Sequence, residues 1–338
     1  MELELEYLVI HQLIKEPTKA DAICKLSDQL LSLEQINKDF VEKLHDLFTN
    51  HVYNYTHALF ESNEEKFPKE LNKFLIKPDD ASFLLLTKNI MNLLVKEVKS
   101  TAAKGGYIVF AKYKSNKELF TINILRETKG FTLIDKDSKG INPGFINHLD
   151  LDKLAMACQI DINKLSIKQE KYIRITKNQK MADVSKYFYN WLAIDFEKIS
   201  NTKENNEKLL DIVNTIDELP IIDDIRISRD EFKKQILNYV KSKPDKNINL
   251  KDMGSHFYPD NPNKLLDFAQ TNEMSIDTEF KYHQATLKKL VKFDVEVDNI
   301  RLAFSYEDKQ MGKIKIKGDT IIITSPQLVK RISEESSQ

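Results

Sequence analysis

Between Gly105 and Asp135 the chain carries three apolar runs separated only by turn-length gaps, and that spacing limits how it can fold. Tyr107 to Tyr113 reads as one strand, and Ser115, Asn116 and Lys117 read as a turn. Phe120, Ile122 and Ile124 alternate on a second strand, and Gly130 precedes a third, Phe131 to Asp135. Parallel neighbours need a crossover of about a dozen residues or more, so these strands are predicted to form an antiparallel meander.

The flanking segments fit around that sheet. Leu3 to Ile14 reads as a strand with Leu3, Leu5, Tyr7 and Val9 on one face and Ile10 and Ile14 on the other. Phe40, Leu44, Leu47 and Phe48 recur at helical spacing. A longer helix capped by Asp79 or Asp80 runs on Phe83, Leu86, Ile90, Leu94 and Val98. It is predicted to stop at Gly105 and Gly106, where glycine takes positive φ. Tyr172 to Thr176 adds a strand, followed by a helix carrying Met181, Val184, Phe188, Trp191 and Leu192 on one stripe.

Residues 195–225 hold nine acids against Lys198, Lys203 and Lys208, and with Ser200 and Asn201 this shift marks a domain boundary. Beyond it, Ser228 and Glu231 fit a helix-start motif ahead of Phe232, Ile236 and Val240. Lys313 to Lys317 and Thr320 to Thr324 pair around Gly318 and Asp319. Ser325 and Pro326 then begin a last helix, with Leu328 and Ile332 predicted inward. The class is α+β. Residues 1–197 are expected to form a domain with an antiparallel sheet and long helices, and 198–338 a domain of helices plus a terminal hairpin or meander.

Charge weighs against a generic polybasic binder, since 51 basic and 52 acidic residues leave a net of −1. A duplex feels charge through a screening length of about 10 Å, so any DNA contact must come from local clusters. The sharpest is 164–186, where Lys164, Lys168, Lys171, Arg174, Lys177, Lys180 and Lys186 face only Glu170 and Asp183, a local net of +5. Arg174 is predicted to share a strand face with Tyr172, opposite Ile173 and Ile175. Lys177 and Lys180 fall just before the helix near Met181, whose free N–H groups would favour a phosphate.

A second cluster holds Lys281, His283, Lys288, Lys289 and Lys292 without an acid; on a helix, Lys288 and Lys292 share a face while Leu287, Leu290 and Val291 turn inward. For both clusters the plain alternative is a solvated, salt-bridged face. Lys313, Lys315 and Lys317 make a third, which Asp294, Glu296 and Asp298 are expected to neutralise from an adjacent strand. The acidic 195–225 stretch reads either as a solvated helix or as a surface for a basic protein partner.

Catalysis finds no footing. The chain has eight glycines and no phosphate-loop, zinc-protease or nucleophile-elbow pattern, so no cofactor is expected. Cys24 and Cys158 alone make neither a disulfide framework nor a zinc site. His45, His51 and His57 stand six apart, which does not align them on a helix. Triplets such as Glu97 with Lys99 or Glu231 with Lys233 are expected by chance at 30% charge, and no metal site is expected. Trp191 shares a stripe with Phe188, which favours the core over base stacking. The start at Met1 to Glu6 is acidic where a signal peptide would be basic, and Lys88, Asn89 and Asn92 interrupt the most apolar run, so a cytoplasmic protein is expected.

Several segments, in order along nearly the whole chain, resemble the bacterial nucleoid-associated protein family (NdpA-like). They are His11 to Lys15, Gly105 to Phe110, Tyr172 to Phe188, Thr286 to Phe293 and Gly318 to Ile332. The resemblance implies a cytoplasmic, nucleoid-located protein that binds double-stranded DNA, and it carries over no active site. The joint expectation is a non-enzymatic DNA binder using Lys171, Arg174, Lys177, Lys180 and Lys186, with Lys288, Lys289 and Lys292 as a second contact. The alternative is an interaction protein that recruits DNA-processing enzymes, or a component of a DNA-directed defence system. Bridging DNA needs more than one binding face, and a homodimer is the expected way to supply two.

Overall fold

The computed structural model describes residues 3–50, 54–62, 64–99, 101–135, 141–149, 151, 154, 156–167, 171–176, 182–195, 201–305, 308–309 and 311–335. The fold is α+β, and the chain divides into two compact units. One comprises residues 1–200 with 275–278, the other 201–274 with 279–338. Among the described residues no helix is long and apolar enough to cross a membrane.

The N-terminal unit is built on a seven-stranded antiparallel sheet. Its strands are β1 (Glu4–Lys15), β2 (Ala22–Lys25), β3 (Tyr55–Ala58), β4 (Gly106–Lys114), β5 (Glu118–Leu125), β8 (Met156–Asp161) and β9 (Ile173–Thr176). They lie in the order β2-β1-β4-β5-β8-β9-β3, with a short helix α4 (Ile162–Ser166) following β8. One face packs against α2 (Lys66–Ile76), α3 (Asp80–Val98) and α5 (Ala182–Leu192), with Val9, Phe83, Ile90, Phe110, Ile122 and Trp191 at the centre. The other face packs against α1 (Gln35–Thr49) through Leu5, Leu8, Val41, Leu44 and Ala157.

The first strand corrects its expected alternation. Leu5 packs against α1, whereas Tyr7 and Val9 face α3. The register steps from Leu5 opposite Tyr113 directly to Tyr7 opposite Lys112, so Glu6 is the extra residue of a bulge. One inserted residue reverses which side chains point to which face. The bulged Glu6 carboxylate binds Lys112 and Lys114, which explains an acid at that position.

Helix α3 begins as expected. The Asp79 carboxylate accepts from the Ser82 N–H at 2.7 Å, and the Ser82 hydroxyl oxygen accepts from the Asp79 N–H at 3.0 Å. It ends at Val98, well before Gly105 and Gly106, and neither glycine has positive φ. Both lie where the backbone crowds. A Cβ on Gly105 would collide with the Leu13 carbonyl, and one on Gly106 with the Leu125 carbonyl. Glycine is needed for close strand approach rather than for stopping the helix.

The meander also needs correction. After β4 and β5 the chain leaves the sheet, and β6 (Glu127–Asp135) pairs with β7 (Ile141–Leu149) as a separate two-stranded ribbon. The second neighbour of β5 is β8, which returns later in sequence. Gly130 lies inside β6, where the His148 ring occupies the space its side chain would need. On one face of the ribbon Phe131 and Phe145 pair at 5.1 Å, and they are 80% and 73% exposed.

The C-terminal unit contains α6 (Thr202–Thr215), the hairpin of β10 (Ile221–Ile222) and β11 (Ile225–Arg226), α7 (Arg229–Ser242), α8 (Leu250–Phe257) and α9 (Lys264–Thr271). Strand β12 (Asn247–Asn249) pairs with β13 (Glu279–Lys281), and the short α10 (Gln284–Leu287) follows. Phe232, Ile236, Val240, Leu250, Phe257 and Leu265 are buried there. Ser228 caps α7 by accepting from the Glu231 N–H at 3.2 Å. The chain ends in two hairpins, β14 (Lys292–Val297) with β15 (Ile300–Ser305) and β16 (Ile314–Lys317) with β17 (Thr320–Ile323), followed by a terminal helix, Pro326–Glu335. Leu328 and Ile332 of that helix are exposed rather than turned inward as expected, since no described residue of the helix is buried.

Candidate nucleic-acid interface

Strand β9 places Ile173 and Ile175 in the core and sends Arg174 to the opposite face, in register with Gln159 of β8 and His57 of β3. The Arg174 guanidinium lies over the Tyr55 ring at 4.6 Å and donates to the Phe48 carbonyl at 3.5 Å. It is half-buried and held against its own protein. Tyr172 does not share its face. Tyr172 packs in the core beside Phe60, and its hydroxyl oxygen accepts from the Phe60 N–H at 3.0 Å. The reason is local, because Lys171 adopts φ 58 just before it and the strand begins only at Ile173. Lys171 itself is buried.

On α5 the apolar stripe is as expected where described. Phe188, Trp191 and Leu192 are buried, and the Trp191 indole donates to the Ile90 carbonyl at 2.8 Å. Trp191 is thus a core residue with its polar atom satisfied. Lys186 is exposed on the same helix. Lys168, Lys177 and Lys180 lie outside the described residues.

In the second cluster the helix is shorter than expected. His283 caps α10, its Nδ1 accepting from the Thr286 N–H at 3.3 Å, and its own N–H donates to Asn206 Oδ1 at 3.1 Å. The chain then tightens into a 3-10 turn, Lys288–Leu290, and Lys292 already begins β14. Lys288 and Lys292 therefore do not share a helix face. Leu287 and Leu290 are buried, as the amphipathic pattern requires, and Lys288 and Lys289 are exposed. The Lys281 ammonium donates to the Asp245 carbonyl at 3.3 Å.

The 3-10 turn packs against α7, and α7 brings further positive charge that sequence spacing did not reveal. Lys233 is pressed below the usual lysine value by burial, with Arg229 and Lys309 adding repulsion and Asp230 opposing them. Asp230 also pairs with Lys309 at 3.3 Å. Arg229 and Lys233 are one turn apart on α7, and packing adds Lys309 from a distant part of the chain.

The third cluster departs from expectation in its partners. Strand β14 pairs with β15 and β16 with β17, so Glu296 stands opposite Arg301 and Lys315 opposite Ile322. Lys313 pairs instead with Asp308, between the two hairpins, at 3.0 Å. In the acidic stretch, Glu204 pairs with Lys208 at 2.5 Å, and Glu218 binds Lys264. Asp223 and Asp224 hold φ 51 and 63 as the two central residues of the β10–β11 turn, a conformation that Asp tolerates better than most side chains.

Comparison with known proteins settles the family. Residues 9–325 match the family described as nucleoid-associated protein YejK. The chain belongs to that family. It is 24% identical over 316 residues to a nucleoid-associated protein of Shewanella oneidensis, covering 90% of this chain and 89% of that one. A nucleoid-associated protein of Shewanella sp. strain MR-4 is similar at 24% identity, and one of Shewanella baltica strain OS155 at 22%, each over the same shares. The match therefore spans both units rather than one motif.

Proposed function

We propose that this protein works in the nucleoid as a non-catalytic binder of double-stranded DNA, mainly through phosphates and with weak sequence preference. The observation that carries the reading is membership of a nucleoid-associated family along nearly the whole chain. Lys186, Lys288 and Lys289 support it, being exposed. Lys177, Lys180 and Lys292 join them as candidate contacts from sequence. Lys171 and Arg174, turned toward the protein, serve better to fix β9 than to reach a phosphate.

The test is a fluorescence-anisotropy titration of a duplex at several salt concentrations. If about four to six phosphates are neutralised, the log–log slope is expected near −4 to −5, a loss of roughly 300- to 1,000-fold between 50 and 200 mM salt. Replacing Lys186, Lys288 and Lys289 by alanine is expected to weaken all duplexes alike and to flatten the slope by about one per lost contact. A flat salt response, or strong preference for one short site over a scrambled duplex, removes the reading.

The second reading, a recruiter of DNA-processing proteins, is favoured by the exposed Phe131 and Phe145 ribbon and by the acidic 195–225 stretch. Under the leading reading that stretch only repels DNA. Asp217→Asn, Asp223→Asn and Asp224→Asn together are expected to leave affinity unchanged or raise it up to about 3-fold, since Asn also tolerates the left-handed turn. A large loss of binding by the folded variant would point to a direct acidic contact instead.

A further inference from the structure

Three consecutive elements at the end of the C-terminal unit are amphipathic, and among the described residues much of each apolar side is exposed. In the β14–β15 hairpin, Val295 stands opposite Leu302 and Val297 opposite Ile300, while Glu296 and Arg301 pair on the other face. In the β16–β17 hairpin, Ile314 faces Ile323 and Ile316 faces Ile321. That isoleucine face starts buried at Ile314 and runs out into solvent at Ile316 and Ile321. On the terminal helix Leu328, Val329 and Ile332 form an exposed stripe.

The two hairpins are joined by one carboxylate. Asp308 accepts from the Ser305 hydroxyl at 2.6 Å, at the end of β15, and pairs with Lys313 at 3.0 Å, just before β16. The Ser305 and Lys313 hydrogen bonds pull its pKa down to about 2. Lone hairpins and a ten-residue helix are marginal in water, and apolar faces in such elements call for a cover.

We propose that this surface, β14 to β17 with the terminal helix, is where a second copy of the chain docks in a two-fold interface. Size supports this occupant. The exposed valines, isoleucines and leucine on those apolar faces are 43% to 73% exposed. At about 60–120 Å² for each fully buried side chain they supply on the order of 500 Å² per copy. A symmetric pair then hides on the order of 1,000 Å², the size at which specific interfaces begin.

Charge selects the same occupant. Residues 292–335 hold eight basic and eight acidic residues, a net of zero, so like meets like without repulsion, and neither DNA nor a strongly charged protein is favoured. Along the helix Lys330 precedes Glu334, and the two pair at 3.8 Å. An antiparallel copy sets the basic half of one helix against the acidic end of the other. An isologous contact needs such self-complementarity.

The experiment is sedimentation velocity on the full chain without DNA, from about 1 to 100 µM, a range that spans micromolar association. Its readout is independent of the DNA-binding proposal. Wild type is expected to reach twice the chain mass within the range. Val297→Lys with Ile300→Lys is expected to weaken association at least about 100-fold, because the interface would bury unpaired charges. Phe131→Ser with Phe145→Ser, on the ribbon of the other unit, is expected to leave the dimer unchanged. A wild type that stays monomeric throughout, or a dimer lost in the ribbon variant and kept in the hairpin variant, overturns the proposal. Should the lysine variant lose its circular-dichroism signal, mixing Ile316→Lys and Ile316→Glu chains decides. Two monomers that combine support the interface, and two that stay apart overturn it.

Discussion

Resistance to denaturant is expected to fall steeply as pH drops from about 6.5 toward 4, with His11 as a principal cause. His11 is 1% exposed beneath α3. Its Nδ1 accepts from the Ser27 N–H at 3.1 Å, which leaves Nε2 to carry the proton toward the Thr87 hydroxyl at 3.0 Å. The Thr87 hydroxyl in turn donates to the Leu84 carbonyl at 3.1 Å. This chain is complete only with a neutral ring, since a proton on Nδ1 would oppose the Ser27 donor. Burial, reinforced by the Lys88 charge, lowers the pKa to about 4. The unfolded chain titrates near 6.5 and so takes up a proton that the folded state refuses. Stability from neutral His11 is therefore complete above pH 6.5 and lost as pH falls through 4, on the order of 3 kcal/mol. Urea unfolding of wild type and His11→Gln at pH 7.5 and 4.5 checks this. The variant should start weaker and lose less; parallel losses in the two proteins would reject the assignment.

Much of the architecture was legible because its signals are local. Asp79 and the Phe83 to Val98 spacing announce α3, and Tyr107 to Ile124 announces two neighbouring strands. The failures have a common physical origin, since each depends on a contact distant in sequence. The bulge at Glu6 exists because Lys112 and Lys114 lie across the sheet. Gly105 resembles a helix stop until Leu13 and Lys15 are seen crowding it. The strand β6 leaves the sheet because β8, which arrives later, takes the position beside β5. The β10–β11 turn went unread because Asp223 and Asp224 looked like charge rather than backbone conformers.

The candidate interface was legible as composition and less so as geometry. Alternation correctly sends Arg174 away from Ile173 and Ile175, yet only the fold reveals Tyr55 and Phe48 waiting on that side. Periodicity correctly buries Leu287 and Leu290, but it extends the helix past the point where His283 capping and β14 allow. Arg229 and Lys233 share a face of α7 by simple spacing, but only packing sets that helix against the Lys288–Leu290 turn and brings Lys309 beside it. Charge counts along a sequence identify where cations are dense. Whether each faces solvent is decided by what the next element places over it.

Asp277→Ala is expected to lower stability on the order of 3 kcal/mol, a large effect for a residue with no place in the sequence reading. Residues 275–278 belong to the N-terminal unit although the chain on both sides of them belongs to the other. They lie along β3, the last strand of the seven-stranded sheet. The Tyr55 N–H donates to Thr278 Oγ1 at 2.9 Å, and the Thr278 N–H donates to the Tyr55 carbonyl at 3.3 Å. An uncovered edge strand is a template for unwanted pairing, and this segment occupies it. Asp277 is 1% exposed. Its carboxylate accepts from the Thr56 hydroxyl at 2.8 Å and from the His57 N–H at 3.0 Å, with the His57 ring nitrogen at 3.6 Å. Alanine strips those buried donors of their acceptor, at about 1–3 kcal/mol for each. Asp277→Asn keeps one oxygen and is expected to cost about 1 kcal/mol, provided its amide turns that oxygen to the His57 N–H. Chemical unfolding of both variants gives the comparison, and light scattering during the transition reports exposure of the β3 edge. Equal losses for Ala and Asn would show that the negative charge matters rather than the acceptor geometry. An Ala variant within about 0.5 kcal/mol of wild type would mean that the segment adds nothing to the sheet.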